Sequence, residues 1–138
     1  MIHAILEVDL TVPRDLIRHY RATSGDTLSF TGYLSHCLAT AVDSNKHTHA
    51  YRDWRNRLIL IDGVDVSTPL VGIVDRPILT PGGLEEREHL CLTVSFDHDI
   101  IGGAPAARFL QRFKEIIEEG KSLQRLASQP LAGADPSR

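Results

Sequence analysis

Residues 95–109, Ser-Phe-Asp-His-Asp-Ile-Ile-Gly-Gly-Ala-Pro-Ala-Ala-Arg-Phe, switch hydrophobic period within a few positions. Upstream, Leu90, Leu92, Val94 and Phe96 alternate, which predicts a half-buried strand over 89–96. Downstream, Phe109, Leu110, Phe113, Ile116 and Ile117 recur in steps of three and four, which predicts a helix opened by Pro105 and stopped by Gly120. A strand that turns into a helix through Gly102-Gly103 must bury one face of each, and packing a sheet against helices does this most simply. The break also holds one imidazole, His98, between Asp97 and Asp99.

The rest of the chain supports a layered α/β reading. Ile2, Ala4, Leu6, Val8 and Leu10 alternate with polar neighbours, so 2–10 reads as a strand. Thr11 and Pro13 then open a short helix with Leu16, Ile17 and Tyr20 on one side; it runs to about Ala22 and is broken by Ser24-Gly25-Asp26. Ser29 is a good N-cap for a longer helix whose stripe is Phe30, Tyr33, Leu34, Cys37, Leu38, Ala41 and Val42. Residues 57–61 read as a strand, Asp62-Gly63 as a tight turn and 64–67 as the answering strand. Pro69, Pro77, Pro81 and Gly82-Gly83 predict an irregular stretch over 69–88, with short extended pieces near 70–74 at a sheet edge. Leu123 and Leu126 allow one more helical turn. The expected architecture is an α/β two-layer sandwich, a mixed sheet with helices on one face. One domain spans 1–127, and a Pro-, Gly- and Ala-rich tail follows at 128–138.

Composition narrows the function classes. The 138 residues suffice for a single core, and 42% hydrophobic with 24% charged residues is ordinary for a globular domain. A net charge of -3 with no basic stripe argues against nucleic acid. Arg52, Arg55 and Arg57, interrupted by Asp53, read as a solvated loop. No run approaches the ~20 apolar residues of a membrane span, and no basic region with a long apolar run marks a signal peptide, so a cytoplasmic location is expected. Cys37 and Cys91 lie in apolar patterns with no Cys-x-x-Cys pair and read as buried free thiols. His47-Thr48-His49 lacks a completing Cys or carboxylate at a recognised spacing, so no metal is expected.

His98 is the candidate general base, since a reference pKa of ~6.5 leaves an imidazole mostly neutral near pH 7. The alternative is a surface histidine at a strand end. Asp97 and Asp99 either fix its tautomer and charge or are polar turn residues. Gly102 and Gly103 either let backbone N–H groups approach a ligand or serve turn geometry.

The same residues resemble a known pattern. Asp97-His98, Gly103-Ala104 and Ala107-Arg108-Phe109-Leu110, after a Leu-Thr-Val-Ser-Phe strand, are similar to the end of the acyltransferase (E2) catalytic domain of 2-oxo acid dehydrogenase complexes. Glu7-Val8-Asp9 through the Ser29 helix resembles that domain's opening, and residues 51–66 resemble a strand pair of single-domain relatives. The resemblance implies a truncated chloramphenicol-acetyltransferase-like fold, a homotrimer with sites between subunits, and coenzyme A or acyl-CoA as co-substrate with a small-molecule acyl donor and acceptor. It implies acyl transfer between thiol carriers with His98 as base. Gly102 and Gly103 would then stand in as oxyanion donors, because the family's Ser-Asn-Leu-Gly type motif is absent. Two positions depart from the pattern: Asp99 replaces an Arg, and Gly102 an Asp. The chain is also shorter than a complete domain, and the missing length is expected between Ser67 and Glu88. These departures keep open an inactive oligomeric scaffold or small-molecule-binding module.

Overall fold

The computed structural model describes residues 2–45, 50–60, 71–96 and 101–128. Strand β1 (Ile2–Asp9) alternates as expected, with Val8 fully buried and Ile5 on the opposite face 79% exposed. Asp9 ends the strand and opens the next element. Its Oδ1 accepts from the backbone N–H and the hydroxyl of Thr11, at 2.9 and 2.6 Å. Helix α1 (Thr11–Ser24) carries the buried Pro13 in its first turn and ends on Gly25, at φ 77°. Helix α2 (Phe30–Ser44) starts at the predicted cap: Ser29 Oγ accepts from Gly32 N at 3.2 Å. Tyr33, Cys37 and Ala41 are its buried stripe.

The strand expected at 57–61 is present, and its described partner precedes it. Strands β2 (Ala50–Arg52) and β3 (Leu58–Leu60) pair with each other across residues 53–57. Asp53 builds that turn by accepting from the N–H groups of Arg55 and Arg57, both at 2.9 Å, and from the Arg57 guanidinium. The predicted turn at Asp62-Gly63 and strand at 64–67 lie outside the described residues.

A correction concerns 69–88. Its described part, from 71 on, is regular: β4 (Val71–Thr80) and β5 (Gly83–Phe96) form one long antiparallel hairpin. Pro81-Gly82 supply the turn, and Gly83 takes φ 120°. Pro77 lies in an edge strand, where a missing N–H is tolerated. The strand order is β1-β5-β4, and pairing among the described residues is antiparallel throughout, in place of the expected mixed sheet. β1 covers β5 only from His89 to Phe96, so the distal half of the hairpin continues as a two-stranded ribbon. Ion pairs brace its root: Arg76 to Glu7 at 2.6 Å, Arg14 to Glu88 at 2.8 Å and Arg87 to Asp9 at 3.3 Å.

Helix α3 (Gly103–Glu119) lies against β1; α2 packs on α3, and α1 meets both α3 and α4 (Lys121–Ser128). Val8, Leu90, Leu92 and Phe96 from the sheet join Tyr33, Cys37, Phe109, Phe113 and Ile117 in one core. Phe96 meets Phe109 edge-on, with centroids 5.8 Å apart. Helices therefore cover one sheet face, as the two-layer reading expects. The expected tail lies beyond the described residues, and α4 reaches Ser128.

Candidate active site at the start of the last long helix

The strand-to-helix junction is anchored on both sides by core residues. Phe96, the last residue of β5, and Ile101 are both buried. Asp97, His98 and Asp99 fall between them, outside the described residues. Gly102 and Gly103 are described and exposed. Gly102 is the N-cap of α3 in an extended conformation (φ -73°, ψ 162°), and its carbonyl accepts the first helical bond from Ala106 N at 3.2 Å.

Helical bonding leaves the N–H groups of the first turn without an intrahelical acceptor. Pro105 carries no N–H, so the donors this turn leaves without a helical acceptor are those of Gly102, Gly103 and Ala104. The sequence alone points to Gly102 and Gly103. The cap at Gly102 leaves both of these N–H groups without a helical acceptor and adds that of Ala104. The position of Pro105 as third helical residue is the signal that could have located it.

Neither glycine has the positive φ that would require it; among described glycines that holds for Gly25, Gly83 and Gly120. A Cβ at Gly103 would meet nothing within 4 Å, and one at Gly102 only Pro105 Cδ at 3.8 Å. Neither backbone strain nor crowding by described neighbours accounts for the pair. Their effect is to leave the backbone open at the positive end of a 17-residue helix whose first turn holds no acidic residue. Such an end can receive negative charge developing on a bound group.

The remaining candidates sort by environment. Both cysteines are free. Cys37 is fully buried, and burial pushes its thiol up to about 11, although a hydrogen bond with Tyr33 pulls the other way. A thiol held protonated inside a core is neither nucleophile nor metal ligand. Cys91 is half-buried. Arg57 is held by Asp53 at 2.8 Å and Arg55 lies over Trp54, so both are engaged within their own turn. His47 and His49 lie outside the described residues, among which no group of three potential metal ligands assembles. No described helix is long and apolar enough to cross a membrane.

Comparison with known proteins places this junction in a family context. Residues 69–125 match the 2-oxoacid dehydrogenases acyltransferase (catalytic domain) family, a span containing β4, β5, the 97–103 junction and α3. The match starts at 69, so it includes the hairpin stretch where missing length was expected. The dihydrolipoyllysine-residue succinyltransferase component of the mitochondrial 2-oxoglutarate dehydrogenase complex of Bos taurus is 35% identical over 51 residues, covering 37% of this chain and 11% of that protein. The lipoamide acyltransferase component of the branched-chain alpha-keto acid dehydrogenase complex of Pseudomonas aeruginosa is 32% identical over 69 residues, covering 42% and 16%. The chain thus spans about a sixth or less of these relatives. The solved dihydrolipoamide acetyltransferase of Azotobacter vinelandii superposes with a TM-score of 0.70 at 13% identity, covering 89% of this chain and 83% of that one, which is a likeness of fold.

Proposed function

We propose that the chain, which is similar over residues 69–125 to the 2-oxo acid dehydrogenase acyltransferase catalytic domain, moves an acyl group between a thiol carrier such as coenzyme A and a small acceptor, with His98 as general base. One observation carries this reading. The family match spans the strand, the Asp97-His98-Asp99 run and the helix whose open N-terminus follows it.

Acyl transfer between thiols needs a base to make the thiolate and donors to hold the tetrahedral oxyanion. His98 takes the thiol proton, and the thiolate attacks the acyl carbonyl. The N–H groups of Gly102 and Gly103, with that of Ala104, face the oxyanion, and collapse expels the first carrier's thiolate, to which His98 returns the proton. Asp97 or Asp99 accepts the other ring N–H and fixes the tautomer. The positive end of α3 disfavours imidazolium and keeps the base neutral. In this reading the protein is a cytoplasmic homo-oligomer, a trimer in the family's manner, acting on small molecules without a metal.

The test is turnover of acetyl-coenzyme A with dihydrolipoamide by the full chain. His98→Ala is expected to lower it by about 100-fold or more, with the thermal transition unchanged. Undiminished turnover in that variant rules out the assigned base. Asp99 and Gly102, standing where the family carries Arg and Asp, favour a second reading: an inactive scaffold or binding module. Absence of turnover with every acyl-coenzyme A in the wild-type chain would select it.

A further inference from the structure

A groove of about 490 Å³ opens between the start of α2 and α4, within the ~300–1,000 Å³ typical of small-molecule sites. Leu28, Tyr33, Leu123 and Leu126 give it apolar walls, and Gly32 contributes no side chain to them. His36 and Arg125 are the basic members of the lining, and no carboxylate is among the lining residues. Neither side chain has an ion pair or hydrogen-bond partner among the described residues. Arg125 also lines an adjoining polar depression with Lys121, which is itself ion-paired with Glu119 at 2.8 Å, so Arg125 is the cation left for a ligand.

The groove is remote from the strand-to-helix junction. Tyr33 donates to Ile117 O at 2.6 Å, near the end of α3, and Ile117 lies about 21 Å along the helix from Gly103. Within one chain it is therefore a second site, apart from the strand-to-helix junction.

We propose that this groove binds an amphipathic anion: an aliphatic or aromatic body carrying one carboxylate or phosphate. The apolar walls take the body, and the planar guanidinium of Arg125 suits either head group through paired N–H bonds. In a chain of net charge -3, an unpaired arginine beside an apolar groove is the local feature that selects an anion over a neutral or cationic ligand.

Titration calorimetry on the full chain with octanoate, octyl phosphate, octanol and acetate, below micelle-forming concentrations, tests this. One or both octyl anions should bind, with octanol and acetate each weaker by about tenfold or more. The tighter octyl anion identifies the head group. Arg125→Gln should reduce that anion to the octanol level. Gly32→Leu should abolish binding by filling the groove, and its fold is protected because a Cβ there meets only Ser29 at 3.6 Å. Leu126→Glu, at a position 41% exposed, should repel the anion without touching the core. The site is overturned if neither octyl anion binds, if octanol binds as tightly, or if Gly32→Leu and Leu126→Glu leave affinity unchanged.

Discussion

Two glycines on the same helix show how differently one residue type can be used. Gly120 ends α3 at φ 61°, and a Cβ there would lie 2.7 Å from Leu16 Cδ1 and 3.5 Å from Val12 Cγ1. It combines a left-handed cap with the close approach of α1. Gly103, at the other end, has neither constraint. Gly120→Ala is expected to cost about 1–2 kcal/mol, mostly from the left-handed backbone, because the Leu16 methyl can rotate aside. Gly103→Ala should leave stability within about 0.5 kcal/mol. Urea midpoints of the two variants check this, and equal losses would overturn it. Gly120 was readable as a stop signal in the sequence. Its contact with Leu16 was not, because the two residues are 104 positions apart in the numbering and meet only through the packing of α1 on α3.

Between elements, the tie of α2 to α3 is polar as well as apolar. The last turn of α3 leaves carbonyls without intrahelical donors. Tyr33 OH donates to Ile117 O at 2.6 Å, and Gln124 Nε2 to Glu119 O at 3.2 Å, so α2 and α4 both cap α3. Burial pushes the Tyr33 phenol well above its ordinary value, so it remains a donor at any working pH. Tyr33→Phe removes that donor inside the core and should cost about 1–3 kcal/mol in chemical denaturation. A cost near zero would mean that the cap contributes nothing net. Periodicity made Tyr33 a stripe residue but gave no sign of its partner. The β4–β5 hairpin was illegible for a different reason. Pro77, Pro81 and the run Glu85-Glu86-Arg87-Glu88 show no apolar alternation, because that half of the ribbon extends past β1 and has little core to face. Its strand state rests on cross-strand pairing and on ion pairs to Glu7, Asp9 and Arg14.

The molecule as a whole presents a sheet covered on one side. Ile5 on its open face is 79% exposed, and the cross-strand pair Leu79 and Leu84 at the ribbon tip is 80% and 74% exposed. Apolar groups left out at this level suit a surface that another chain covers. Under the trimer proposed above, sedimentation should return three times the 15.3 kDa of the chain. A concentration-independent single-chain mass would refute it. Local chemistry alone determined the outer strand, the caps at Ser29 and Gly120, the amphipathic stripes of α2 and α3, and the switch from strand to helix around His98. Each depends on residues a few positions apart, so period and cap chemistry specify it. Tertiary structure decided the antiparallel order β1-β5-β4, the hairpin through 71–96, the helix start at Gly102, and the α2–α4 groove. These depend on which distant segments meet and where a helix begins, and neither spacing nor composition encodes either locally.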